Sequence, residues 1–400
     1  MNLSLITHHS SLHFRALPPL ALYIHIPWCV RKCPYCDFNS HEARGAVAEE
    51  RYIAALIADL EQALPLVWGR RVTSVFFGGG TPSLFSARGI DAILSAVRAR
   101  LTLAPEAEVT LEANPGTFEA DKFRDFRAVG VNRLSIGIQS FDPVHLKALG
   151  RIHDDREARR AIEIAKCNFD NINLDMMYGL PGQTLPEALC DVQSALGFEP
   201  QHISAYHLTI EPNTLFHRYP PTLPDEDETA AMQNAIEARL EQADFEHYET
   251  SAFARPARKC RHNLNYWTFG DYLGIGAGAH GKLSFSDRIV RQMRVKHPER
   301  YLEAAERGAP IQEEHDVAAE EAGFEFMMNA LRLTEGFPAS LFEERAGVPL
   351  AAVLHQLDEA ERRGLIARDH ARIAPTLRGQ RFLNDLLQLF LAEGEAEARA

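Results

Sequence analysis

The sequence predicts an α/β fold, a partial parallel barrel followed by a small, mostly helical C-terminal domain, and three observations carry that prediction. Short β-branched apolar runs alternate with longer amphipathic stretches from Leu22 to about Ile210, the pattern of repeated βα units. Each apolar run ends in residues too polar or too glycine-rich for a core, as expected where parallel strands present a site at their carboxyl ends. From about Asp316 the alternation gives way to helical periodicity.

The expected strands are 22–27, 72–78, 108–113, 132–138, 171–177 and 202–209, and the intervening helices are 46–63, 86–101, 118–129, 154–168 and 185–196. Ser86 and Thr117 stand where N-caps belong, and Gly130 where a helix stop belongs. Six units are too few to close an eight-stranded barrel, so the sheet is expected to curve into a partial one. The expected organisation is an N-terminal extension over 1–20, the barrel over 21–245, a linking region over 246–312, the C-terminal domain over 313–391 and a frayed tail over 392–400. Within the C-terminal domain, Leu365–Arg368 and Ala371–Ala374 form a candidate hairpin, which gives a winged-helix-like pattern. Its acidic residues Glu343, Glu344, Asp358, Glu359 and Glu361 disfavour DNA binding.

The chain has 400 residues and a net charge of −13, which argues against a nucleic-acid partner for the chain as a whole. The charge is uneven. Between Arg255 and Lys296, nine Lys/Arg face only Asp271 and Asp287, so that stretch is +7 against −20 elsewhere. A basic island in an acidic chain points to a small anionic ligand or an acidic partner, or to a solvated charged face over Arg288–Lys296. Residues 1–20 lack the basic flank and apolar core of a signal peptide, and no run reaches membrane-spanning length. The expectation is a cytoplasmic protein that is not integral to a membrane, with peripheral membrane contact left open.

Cys29, Cys33 and Cys36 fall within eight residues, spaced C-x3-C-x2-C on the loop after the first strand. A [4Fe–4S] cluster normally takes four cysteines, so three leave one iron open for an exchangeable ligand. A structural zinc site would need His25 or His41 as a fourth ligand and lacks the usual second C-x2-C pair. Three thiols cannot all pair as disulfides, and Cys167, Cys190 and Cys260 are isolated.

That loop, with an aromatic before its last cysteine, resembles the radical S-adenosylmethionine (SAM) superfamily. The words Tyr-Ile-His-Ile-Pro-Trp-Cys resemble the oxygen-independent coproporphyrinogen III oxidases and their relatives, the HemW heme chaperones. The resemblance implies a (β/α)6 barrel in which Cys29, Cys33 and Cys36 hold a [4Fe–4S] cluster. Its open iron would chelate SAM, and an electron from the cluster would cleave SAM to methionine and a 5′-deoxyadenosyl radical. It further implies that Gly79, Gly80 and Thr81 of a GGTP motif cradle the SAM amino group. Glu112, Gln139, Arg151 and Asp175 would contact its other polar groups, with Tyr23 and Tyr35 beside the cluster. An acidic residue on ribose hydroxyls and an arginine on a carboxylate are sound polar matches. Each of these residues is equally compatible with strand-end or cap chemistry, and the tyrosines with packing.

Two features separate the relatives. The oxidases carry a further cysteine two residues after the third and a longer N-terminal arm, whereas here residue 38 is Phe and about twenty residues precede the first strand. The run His262-Asn263-Leu264-Asn265-Tyr266-Trp267 resembles the HNxxYW element of the heme chaperones. The resemblance implies heme contacts from His262, Asn263, Tyr266 and Trp267, with His280 and Cys260 as secondary candidates. Arg255, Arg258, Lys259 and Arg261 would face heme propionates. Covalent heme is not expected, since C-x-x-C-H is absent. The expected function is a radical SAM heme chaperone delivering heme to acceptor hemoproteins, with an electron donor as second partner. The alternative is a coproporphyrinogen III oxidase or another porphyrin-modifying radical SAM enzyme.

Overall fold

The structure is a computed structural model that describes residues 12–117 and 120–391, without the side chains of residues 117 and 120. The expected cap at Thr117 and the tail 392–400 lie outside what is described. The six expected strands are present as β1 (Leu20–Ile26), β2 (Arg71–Gly79), β3 (Thr102–Ala113), β4 (Arg133–Gln139), β5 (Ile172–Tyr178) and β6 (His202–His207). They lie in chain order and all run parallel. β1 reads Leu-Ala-Leu-Tyr-Ile-His-Ile with six of its seven residues buried. Such a run needs cover on both faces, which is why parallel sheets carry crossover helices.

Those helices follow the expected order: Glu49–Val67, Ala87–Arg100, Ala120–Ala128, Asp155–Asn168 and Leu185–Leu196. Ser86 caps the second by accepting the Gly89 N–H at 3.0 Å. Asp154 and Glu157 form a reciprocal capping box at the start of Asp155–Asn168.

Residues 246–312, expected to be a linking region, instead extend the sheet at both edges. β7 (Glu246–Glu249) and β8 (Ala252–Ala254) add antiparallel strands beyond β6. β9 (Asp271–Ile275) pairs parallel to β1 on the other side, and β10 (His280–Ser284), β11 (Ile289–Arg294) and β12 (Ile311–Asp316) continue antiparallel outward. The twelve-stranded order is β12-β11-β10-β9-β1-β2-β3-β4-β5-β6-β8-β7. Glu313, Glu314 and Asp316 line the solvent-facing edge strand, where charge discourages pairing with a second chain.

Most of the basic island is consumed inside this extension. Arg294 and Asp59, both fully buried, pair at 3.1 Å, and Lys282 pairs with Asp271 at 3.0 Å. Arg291 meets Glu325, Lys259 meets Glu246, and Arg255 donates to the Ala243 carbonyl. The island therefore ties the added strands to the barrel helices and to the C-terminal unit.

A second core forms around Phe326, whose ring meets Phe337 and Phe342 edge-on at 5.0 and 5.1 Å. Its helices Ala319–Ala330, Ala339–Ala346 and Leu354–Arg362 surround a small sheet of Phe337–Pro338, Ile366–Arg368 and Arg372–Pro375, which includes the expected hairpin. Leu12 and Phe14 of the N-terminal extension also enter this core. Gly347 adopts φ +72°, and a Cβ there would stand 2.6 Å from the Phe14 ring.

Candidate functional site

At the carboxyl ends of β1–β6 opens a cavity of about 400 Å³, within the range of small-molecule sites. Cys29, Cys33, Tyr35, Cys36, Gly79, Gly80, Thr81, Glu112, Gln139, Arg151 and Asp175 all line it. Eleven expected site residues from six separate chain segments therefore share one cavity. Tyr23 stands apart. It is half-buried on β1 and not among the cavity's lining residues, with its hydroxyl 3.1 Å from His25 Nδ1, and desolvation, with Glu112 adding, pushes its pKa far up.

The cysteine loop is fixed by its own backbone and by a buttress that sequence reading missed. Cys36 N–H donates to the Cys33 carbonyl at 3.2 Å, and Lys32 Nζ gathers the Phe38 and Ser40 carbonyls, each at 3.1 Å. Asn39 Nδ2 donates to Ala277 O and Lys296 O, both at 2.9 Å. The glycine run 274–281 makes this approach feasible. A Cβ on Gly278 would stand 2.3 Å from Asn39 Nδ2, and one on Gly276 would stand 2.4 Å from the His25 carbonyl. The glycines serve close packing beneath the loop. Within this run, His280 opens β10 and is exposed.

The donor set fits a cluster better than one metal ion. Thiolates sharing a tetrahedral zinc stand ~3.8 Å apart, given Zn–S bonds of about 2.3 Å. Among the described residues, the group of His, Cys, Asp or Glu whose ligand atoms all lie within 4.8 Å of one another is Asp142, His145 and Glu187, not the cysteine triad. Sulfurs bound to three different irons stand further apart. The histidines needed for zinc are otherwise engaged: His25 Nδ1 meets Tyr23 and Nε2 meets the Asn39 carbonyl at 2.9 Å, while His41 Nε2 meets Asn39 Oδ1 at 3.2 Å. Burial lowers the His25 pKa to about 4. Burial raises the Cys29 thiol, opposed by the Thr81 hydroxyl.

Arg151 enters from the loop after β4. Its guanidinium donates to Gly137 O at 2.7 Å and Asn114 Oδ1 at 2.9 Å and reaches Cys33 Sγ at 3.6 Å. Its Nε is buried without a hydrogen-bond partner. Gln139 adopts φ +68° at a register shift between β4 and β5. Left-handed backbone costs a non-glycine residue about 1–2 kcal/mol and is enriched at functional sites. Asp175 is held by Ser135 Oγ at 2.9 Å and Asn173 Nδ2 at 2.8 Å, and burial raises its pKa.

Glu112 accepts the Gly79 N–H at 3.1 Å, which requires Gly79 at φ +115°; a Cβ there would strike the His25 ring. Burial, aided by the Asp175 charge, raises Glu112 from 4.5 to about 8. Without a neighbouring positive charge Glu112 is therefore mostly protonated at neutral pH. A cationic ligand beside it favours the ionised form, so binding below pH 8 releases a proton. Ligand affinity should rise with pH up to about 8 and then level, and Glu112→Gln should flatten that slope. Calorimetry in buffers of different ionisation enthalpy reads the released proton; an unchanged slope in the variant would count against the assignment.

The expected heme residues form no part of this cavity. Helix Arg261–Trp267 closes the barrel from below, with Glu108 accepting the N–H groups of Arg261 and His262 at 3.2 and 3.1 Å. His262 is 1 % exposed, its Nδ1 is 3.0 Å from Ser74 Oγ and its Nε2 3.3 Å from Tyr266 OH, and it stacks on Phe76 at 4.9 Å. Burial lowers its pKa to about 3, which leaves the ring neutral. Cys260 is buried, its thiol meets Glu108 at 3.4 Å, and burial pushes its pKa up to about 12, so it is a thiol and not a thiolate. Trp267 lies under the Arg332 guanidinium at 4.4 Å, and Asn263 is half-buried on the same helix.

Six parallel strands in chain order, with a three-cysteine loop and a carboxylate-bearing cavity at their carboxyl ends, define a radical SAM protein. Family models agree: the Radical SAM superfamily matches residues 23–190 and the HemN C-terminal domain residues 317–382. The chain is 49% identical over 381 residues to the heme chaperone HemW of Escherichia coli (strain K12), covering 94% of this chain and 99% of that protein. The chain belongs to the HemW family. The Bacillus subtilis (strain 168) heme chaperone HemW is 33% identical over 93% of this chain and 99% of its own length. Coproporphyrinogen III oxidase from Escherichia coli, a radical SAM enzyme, superimposes with TM-score 0.79 at 22% identity over 94% of this chain and 90% of its own, a likeness of fold. No helix among the described residues is long and apolar enough to cross a membrane.

Proposed function

We propose that this protein is a radical SAM heme chaperone that binds a [4Fe–4S] cluster, SAM and heme and passes heme to acceptor hemoproteins. The convergence of Cys29, Cys33 and Cys36 with Glu112, Arg151 and Asp175 around one cavity carries the cofactor part of this reading. The extent of similarity to proteins named heme chaperone HemW carries the rest.

Cys29, Cys33 and Cys36 hold the cluster, which when reduced supplies the electron that cleaves the sulfonium bond of SAM. Gly79 and Gly80 let backbone approach SAM closely, and a Cβ on Gly80 would stand 2.5 Å from the Trp28 carbonyl. Glu112 takes donors of the methionine portion, Asp175 the ribose hydroxyls, and the Arg151 guanidinium, which lines the cavity, the carboxylate. Heme ligation through His262 carries a structural condition: helix Arg261–Trp267 must leave the barrel floor, breaking the contacts to Ser74 and Tyr266. An electron donor and the acceptor hemoproteins complete the set of partners.

The test is a spectral titration of cluster-reconstituted protein with heme, followed by mixing with a heme-free acceptor. Saturable binding and transfer are expected, with no protoporphyrinogen formed from coproporphyrinogen and SAM. Accumulation of protoporphyrinogen would establish the oxidase instead. In the same titration His262→Ala is expected to weaken heme binding at least tenfold, about 1.4 kcal/mol, while cluster absorbance persists. Unchanged heme affinity would remove His262 from the heme site and leave the cavity reading intact.

A further inference from the structure

We propose that Asp142, His145 and Glu187 form a second metal site, for a single divalent transition ion of the zinc class, on the barrel rim outside the cysteine loop. Their ligand atoms all lie within 4.8 Å of one another. Two carboxylates alone would mean little, since acidic groups cluster often on surfaces. The histidine changes that. Its side chain is 4% exposed, and neither ring nitrogen has a hydrogen-bond partner. Nε2 stops 3.6 Å from Glu187 Oε2, longer than a hydrogen bond. Buried ring nitrogens without partners are rare in folded proteins, and an ion between the three groups would satisfy one of them.

The carboxylates are held in place for such a role. Asp142 Oδ1 accepts the Val144 N–H at 2.7 Å, and Glu187 Oε2 accepts both the Thr184 N–H and hydroxyl at 2.8 Å. Behind them, Asp191 fixes the approach to Asp142 through Ser140 Oγ at 2.6 Å and Phe141 N at 2.7 Å. Such outer contacts orient metal ligands. One imidazole and two carboxylates suit zinc, manganese or ferrous iron and fit poorly with calcium or magnesium, which take oxygen only. Glu187 is 44% exposed, so the remaining coordination positions face water.

The placement gives the ion a consequence. Asp142 and His145 lie on the segment between Gln139 and Arg151, both in the cavity wall, and Glu187 sits on helix Leu185–Leu196. A bound ion would staple that segment to the helix and restrain Arg151.

The test is a titration of the full chain, with its iron–sulfur cluster already reconstituted, using Co²⁺ as a coloured probe and Zn²⁺ as competitor. One saturable Co²⁺ site with an N/O-type spectrum, displaced by Zn²⁺, is expected. His145→Gln and the milder Glu187→Gln should each weaken it by about tenfold or more. A chain with Cys29, Cys33 and Cys36 all replaced by alanine should retain it. Absence of a saturable site, survival of the site in Glu187→Gln, or its loss with the cysteines would overturn the proposal and leave His145–Glu187 a simple ion pair.

Discussion

Cys33→Ala should abolish both the cluster and SAM cleavage, taking deoxyadenosine production under reduction to background. The loss follows from ligand count. The loop supplies three thiols, and the isolated Cys260 is buried as a thiol against Glu108, with no route to the cavity. The substitution also strands Arg151, whose Nη1 faces Cys33 Sγ at 3.6 Å. Because Cys33 is only half-buried, the fold itself should persist, with little change in thermal midpoint of the cluster-free protein. Visible absorbance after anaerobic reconstitution and a deoxyadenosine assay check this. A cluster of unchanged yield in Cys33→Ala would place its ligands elsewhere.

Asp59→Ala should act in the opposite way, on stability first and on the site second. Asp59 lies fully buried on helix Glu49–Val67 and holds three groups: Arg294 Nε at 3.1 Å, Tyr301 OH at 2.9 Å and Gly276 N at 3.2 Å. Removing it leaves a buried guanidinium without its counter-ion, a change worth about 3–5 kcal/mol. Gly276 belongs to the turn that packs under the cysteine loop, so the remaining protein should also reconstitute its cluster less completely. Chemical denaturation reads the first effect and iron content per chain the second. A loss below about 1 kcal/mol would show that Arg294 finds another partner.

The barrel was legible because its signal is local and repeated. Each strand is a short apolar run, and the parallel-fold rule then aims strand ends such as Glu112, Gln139 and Asp175 at one mouth. Arg151 has no such local mark, since it follows the short helix Pro143–Ala148, and only the family resemblance singled it out. The added strands were illegible for the opposite reason. β12 is exposed along its whole length and β7 and β8 are four and three residues long, so neither alternation nor length announces them. Asn39 was missed because its partners, Ala277 and Lys296, lie more than two hundred residues away in sequence. The run from His262 to Trp267 shows the remaining limit. Its residue types suit heme, yet burial against Ser74, Phe76 and Glu108 is set by tertiary packing that composition does not encode.

The proposed function requires a three-cysteine cluster with one iron open to SAM. Mössbauer spectroscopy of anaerobically reconstituted, iron-57-labelled protein, recorded with and without SAM, tests this most directly. The prediction is four irons per chain, one of which changes its signal when SAM is added while three remain as they were. A spectrum indifferent to SAM, or protein that takes up zinc in place of iron, would contradict it.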